Sequence, residues 1–381
     1  MRKGSSMIAT FLLLGALVCG CGGGSSTGGT ETTTPPPAAT PAATPNMFTA
    51  NAQNGAVVIS LAAGTPGSKI YYTTDGSTPT TSSQLYQAPF LVWSNLTVKA
   101  IATAPGYTTS AVNSFPTTPN VPSNTLVWSE EFSNSSGSNG QPNAKVWTYD
   151  TGNNGFGNNE LENYCAWGSA ASPCDTANPN AYVDTTGMLH IVARKPSNGV
   201  YTSARLKSQG LFSFQYGRVE ARMKLPEGQG MWPAFWALGN NIVTINWPAC
   251  GELDVMEHID GNNPPPYVGA PAPGYDWIAG SIHGTNLNGT MQYHPSGFSA
   301  ADWHTYGMIW SKGKVAFYVD DPSNVYVTFN SSTQTGTWPF EDGPQFLLLN
   351  LAVGGNWPGN PDSTTVFPSE MLVDYVRIYT N

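Results

Sequence analysis

From Leu126 to Asn381 no window of helical length sustains a 3.6-residue hydrophobic period, whereas short alternating runs recur throughout. Such runs include Leu189 to Arg194, Gly217 to Lys224, Leu253 to His258, Trp303 to Trp310, Val315 to Val319, Gln345 to Val353 and Met371 to Tyr379. A long chain without helices must bury its apolar side chains between sheets. The expected fold is therefore all-β, a large antiparallel jelly-roll sandwich. Composition agrees: charged residues are 10 % of the chain, against roughly 25 % in average soluble proteins, and 41 Gly and 31 Pro supply turns. A net charge of -9 leaves no basic stripe to neutralise phosphates, which excludes nucleic acid as a partner and disfavours strongly anionic polysaccharides.

The N-terminus reads as an export signal. Arg2 and Lys3 precede an apolar run from Met7 to Val18, long enough for a signal peptide and too short to span a bilayer. The following Val18-Cys19-Gly20-Cys21 resembles a bacterial lipoprotein box, with residues 1–21 removed or processed and Cys21 as the lipidated position. The expectation is a bacterial cell-surface or outer-membrane lipoprotein, or a secreted protein. Membrane contact would come only through the lipid. Residues 22–46 are mostly Gly, Ser, Thr, Pro and Ala, too poor in apolar side chains to order themselves, and read as a tether. Of the remaining cysteines, Cys165 and Cys174 lie close together in a Ser-, Pro-, Asp- and Asn-rich stretch, so a local disulfide is expected. Cys250 is left as a buried thiol.

Residues 47–118 contain runs such as Ala56 to Leu61, Lys69 to Thr73 and Leu96 to Ile101 separated by turn residues, the pattern of a small β-sandwich. IYYTTDGSTPT from Ile70 and AIATAPGYTTS from Ala100 resemble the immunoglobulin-like domain at the C-terminus of chitobiases. That resemblance implies an accessory or spacer module. A linker over 119–125 leads into the large domain, 126–381.

The segment PACGELDVMEHID, Pro248 to Asp260, carries Glu252, Asp254 and Glu257 at i, i+2 and i+5. On a regular strand Glu257 would face away from the other two. One bulged residue near Val255 or Met256 returns it to their face. The two glutamates would then stand about 13 Å apart at their Cα atoms, and side chains leaning inward could bring the carboxyls to about 5 to 5.5 Å, the spacing of retaining glycosidases. Three acids on one face repel, so at least one should keep its proton at neutral pH.

E-x-D-x-x-E with a bulge resembles the signature of glycoside hydrolase family 16, in its laminarinase-like branch. The resemblance extends over nearly all of 126–381 and includes NNEL from Asn158, YTSAR from Tyr201, GRVEAR from Gly217, GMWPAFW from Gly230, SIHG from Ser281, NLAVGG from Asn350 and DYVR from Asp374. It implies Glu252 as nucleophile, Glu257 as general acid/base and Asp254 as the residue that tunes the nucleophile. Trp232 and Trp236 would floor a sugar cleft, Asn159 and Arg205 would bind hydroxyls, and His283 would lie in the cleft near the acid/base; His258 reads as structural. Family members often hold a structural calcium away from the cleft; its ligands would be the Asp374 side chain and the backbone oxygens of Glu131 and Gly187. No cofactor is expected for catalysis.

The resulting expectation is a monomeric retaining endo-hydrolase acting on β-1,3 linkages of a neutral β-glucan. Rival readings are a mixed-linkage glucanase or galactan hydrolase of the same family, and a non-catalytic glucan-binding protein, which would have lost these glutamates. A Pro- and Gly-rich stretch from Asn262 to Trp277 is the candidate for setting endo against exo action.

Overall fold

A computed structural model of the protein describes residues 39–197, 199–260 and 276–381. The signal segment 1–21, the lipidation candidate Cys21, the tether as far as residue 38 and nearly all of the Asn262 to Trp277 loop lie outside them.

The small domain is a two-sheet sandwich. One sheet pairs Asn46–Asn51, Val57–Ala62 and Phe90–Val92; the other runs Gln84–Leu85, Lys69–Thr73, Leu96–Thr103 and Asn113–Thr117. Alternation places Ile59, Leu61, Ile70, Tyr72, Val98 and Ala100 in its core. Its ordered chain begins earlier than the expected tether allowed. Pro41 bridges Thr108, the Ala42 amide donates to the Thr108 carbonyl at 2.9 Å and the Ala43 amide to Thr65 Oγ1 at 2.7 Å. These bonds remove residues from Thr40 onward from the tether and assign them to the sandwich.

The large domain has the two antiparallel sheets that periodicity predicts. One contains, in spatial order, Ala181–Val183, Leu189–Ala193, Ser369–Tyr379, Gly217–Lys224, Trp303–Ser311, Lys314–Val319 and Val325–Asn330, with Leu126–Glu130 also on Ser369–Tyr379. The second runs Leu287–Tyr293, Ile278–Gly284, Glu252–Glu257, Met231–Gly239, Gln345–Val353, Arg205–Lys207 and Thr148–Asp150. Between them lies one core with Val219, Phe235, Leu253, Met256, Met308, Phe317, Leu347 and Val373 at or near zero exposure. Gln345–Val353 is buried along its whole length, covered by the core on one face and by cleft side chains on the other. Cys165 and Cys174 are joined by a disulfide. Cys250 is free, its thiol pushed up to about 11 first by burial and then by the Glu252 charge, which leaves it unreactive.

The two sandwiches share an interface more intimate than a spacer needs. Leu91 and Ala56 of the small domain belong to the large core, and Trp93 packs against it. A Cβ at Gly217 would stand 3.2 Å from the Trp93 ring and 2.8 Å from the Tyr379 carbonyl, and Gly217 has φ +96, so the position admits glycine alone. Backbone bonds from Leu91 to Ser213, from Ser213 to Pro89 and from Val121 to Trp93 tie the parts together. The linker is pinned as well, because Thr380 donates to the Pro122 carbonyl at 2.6 Å.

Candidate active site

The site is built by one irregularity in Glu252–Glu257. On one side Trp236 pairs with Asp254 and Phe235 with Met256, so Val255 has no partner of its own; on the other side the register also slips between Asp254 and Glu257. Val255 is therefore the extra residue. Leu253 and Met256 enter the core, while Glu252, Asp254 and Glu257 all line a single cleft of about 710 Å³. The cleft crosses the sheet from Ser281 and His283, over the acids, Trp236 and Asn350, to Arg205 and Phe156.

Each glutamate accepts an indole N–H. Trp232 Nε1 donates to Glu257 Oε1 at 3.1 Å, and Trp247 Nε1 donates to Glu252 Oε2 at 3.1 Å. Asp254 is almost wholly buried, and its Oδ2 lies 3.2 Å from His283 Nε2. Burial, followed by the Asp254 charge, pushes Glu257 up to about 8 and moves Glu252 well up in the same direction. Burial depresses His283, but the hydrogen bond and charge of Asp254 outweigh it and carry the imidazole to about 10. The acids thus cannot all be charged at neutral pH, and the imidazolium, 3.9 Å from Glu252 Oε1, favours leaving the negative charge at the Glu252 end.

Trp232 and Trp236 both face the cleft, as positions four apart on a strand must. Trp236 donates to Asn350 Oδ1 at 2.7 Å, and Arg205 lies over its ring at 4.6 Å and over Phe156 at 5.1 Å while pairing with Asp150 at 3.0 Å. A further chain, Asn350 to the Tyr164 hydroxyl and Tyr164 to Glu160, supports this end from below. His258 is buried, with Nδ1 2.8 Å from the Trp277 carbonyl oxygen.

Two expectations need correction. Asn159 does not line the cleft: its backbone has φ +56 and its side chain donates to Asn356 Oδ1 at 2.9 Å, while its neighbours Asn158 and Glu160 take the cleft positions. His283 does line the cleft, but it stands directly across from Glu252 with Asp254 Oδ2 at 3.2 Å, so its nearest carboxylates are on the nucleophile side of the cluster while its charge also reaches Glu257. Trp247, Asn350 and Trp357 are lining residues that the sequence did not single out.

Two of the expected calcium ligands are neighbours. Gly187 sits against the Glu131 carbonyl, with a Cβ position 3.7 Å from that oxygen. Asp374, however, is held by Arg222 Nη1 at 2.8 Å, a fixed cation where the metal would bring its own charge. Among the described residues the one cluster of three metal-capable side chains is Glu252, Asp254 and His283, which the cleft chemistry accounts for.

Paired carboxylates, each accepting an indole N–H and set in an aromatic-walled cleft across a jelly-roll sheet, define an O-glycosyl hydrolase. Residues 169–377 match the profile of glycosyl hydrolases family 16, and residues 59–117 match a profile described as Fn3 associated. The chain belongs to glycosyl hydrolase family 16. It is 36% identical to a beta-glucanase of Rhodothermus marinus over 67% of this chain and 84% of that protein. It is 34% identical to the clotting factor G alpha subunit of Tachypleus tridentatus, over 67% of this chain but only 34% of that protein's length. The solved catalytic domain of an endo-1,3-beta-glucanase (laminarinase) from Thermotoga petrophila RKU-1 is 36% identical and superposes with a TM-score of 0.56, covering 68% of this chain and 98% of that domain.

Proposed function

We propose that this chain is a retaining endo-hydrolase of β-1,3 linkages in a neutral β-glucan. The observation that carries the reading is the Val255 bulge, which gathers Glu252, Asp254 and Glu257 in one cleft. Glu257, buried and with its carboxyl at about 8, holds the proton that the glycosidic oxygen receives. Glu252 attacks the anomeric carbon, forming a glycosyl ester as the C–O bond breaks. Glu257, now a carboxylate, takes a proton from water as its oxygen adds to the anomeric carbon, and the Glu252 carboxylate departs. The kinship to enzymes called beta-glucanase and endo-1,3-beta-glucanase supports glucan, and the scarcity of Lys and Arg, 15 in all, weighs against sulfated galactans.

The test is product analysis on laminarin, lichenan and agarose with the native chain, Glu252→Ala and Glu257→Ala. Release of β-1,3-linked oligosaccharides from laminarin with β-configured reducing ends, abolished in both variants at unchanged melting temperature, is expected. Preferred cleavage of agarose, or substantial activity in either variant, would overturn the reading.

A further inference from the structure

The turn before the acidic strand is unusually apolar at its surface. Val243 is 55 % exposed, Ile245 44 % and Trp247 56 %, and Ile242 of the same segment lines the cleft. Large exposed side chains in a group mark contact surfaces more often than accident. Trp247 differs from its neighbours in having a committed polar edge, since its indole N–H is bound to Glu252 Oε2. The second indole of the site is placed differently: Trp232 packs edge-on to Trp357, which packs on buried Trp277, so that ring is fixed by an aromatic cluster. Trp247 has a ring neighbour only in His283, at 6.5 Å between centroids, among the described aromatic contacts.

We propose that Trp247 is the positioning residue for Glu252, its N–H holding Oε2 so that Oε1 is left for the anomeric carbon, while its open ring packs against a glucan pyranose. The proposal rests on Glu252 being the nucleophile. A carboxylate with one oxygen tied to a donor has fewer rotamers to search, and the charge-assisted bond favours its ionised form. Trp247 and Ile242 line the cleft together with Trp232 and Trp357, one indole bound at Glu252 and another at Glu257, so a sugar over the acids would meet indoles at both carboxylates. The other ionisable groups facing Glu252 are Asp254 and Glu257 on its own strand, His283 on the neighbouring strand, Arg205 across the cleft and the Cys250 thiol just before the strand, which is pushed up to about 11. None of these is altered by changing Trp247.

Steady-state kinetics and pH profiles on laminarin separate the two roles. Trp247→Phe keeps a ring and removes the donor: kcat should fall about tenfold or more, KM should stay within about twofold, and the acidic limb of kcat/KM should move to higher pH, because an unassisted carboxylate is harder to ionise. Trp247→Ala should add a severalfold rise in KM. Wild-type kcat and an unmoved acidic limb in Trp247→Phe would overturn the positioning role. An unchanged KM in Trp247→Ala would overturn the packing role. Glu252→Ala distinguishes the foundations: if it remains active the nucleophile reading fails, and if it is dead while Trp247→Phe is indistinguishable from wild type, only the Trp247 proposal fails.

Discussion

Asp254→Asn is the substitution that most sharply tests the electrostatics of the cleft, because it removes a charge while nearly preserving shape. The Val255 bulge makes Asp254 and Glu257 next-but-one neighbours on a shared face, about 6.6 Å apart at roughly 3.3 Å per residue. At an effective dielectric near 20, two unit charges at that distance repel by about 2 to 3 kcal/mol, which corresponds to about one to two pKa units at 1.36 kcal/mol each. Burial is the larger cause of the upward displacement of Glu257 and Asp254 the second, so the substitution should lower the carboxyl from about 8 toward 6 to 7 without restoring the ordinary value. The acid catalyst must be protonated, so activity falls as pH rises through its pKa. The alkaline limb of kcat/KM should accordingly move down by about one to two units. His283 should lose its charged partner at the same time, leaving the imidazole less often protonated at neutral pH and Glu252 less well supported, so kcat should fall even at the new optimum. An alkaline limb that stays near 8 would refute the argument and leave burial alone as the holder of the Glu257 proton.

Truncating Leu91, 4 % exposed and part of the large core, to Ala should cost about 2 to 5 kcal/mol in a single cooperative denaturant transition; an independent early transition of the small sandwich would contradict the shared interface. His258 is pushed down to about 4 by burial, so its contribution is present above about 6.5 and lost as pH falls through that window. Relative to His258→Gln, the wild type should lose up to about 3 kcal/mol between pH 7 and 4, and an equal pH dependence in both proteins would refute it. The raised carboxyls of Glu252 and Glu257 have the opposite sign, gaining stability as pH falls toward the ordinary carboxylate range, and cancel in that difference. Reducing the Cys165–Cys174 disulfide, which closes a short loop, should cost about 2 to 3 kcal/mol by the loop-entropy relation, read from the denaturant midpoint with and without reductant. With Asp374 already neutralised by Arg222, chelation should leave the melting temperature unchanged; a large drop would mean that calcium displaces the arginine.

The catalytic triad of acids was legible because strand geometry leaves few choices. An offset of five cannot share a face without one extra residue, and the observed slip falls where Glu252, Asp254 and Glu257 require it. The strands that were read directly, such as Gly217–Lys224 and Gln345–Val353, also have unambiguous apolar patterns. Met231–Gly239 was harder: Pro233 sits inside a strand paired on both sides, where a missing N–H normally argues against a central position. It is tolerated because its pairing with the acidic strand starts one residue later, at Ala234 and Glu257.

What stayed illegible is set by quantities that a linear pattern does not encode. Asn159 and its neighbours all carry polar side chains, and which of them enters the cleft is decided by a positive backbone angle at Asn159, a turn choice that Asn, Gly and Asp can all make. His283 was placed in the cleft by its motif, but its partner depends on the register between two strands joined through the long segment that begins after Asp260. Register alone sets His283 opposite Glu252 and not Glu257. Trp247 offered still less, since an exposed Trp beside a Pro reads as turn chemistry. Its relevance comes from the chain doubling back so that an indole five residues before Glu252 can reach the carboxylate. Residues fixed by the period of a strand can therefore be assigned from sequence, while those delivered to the cleft by a turn or a register require the folded chain. The contacts that His283 and Trp247 make with Glu252 belong to the second group.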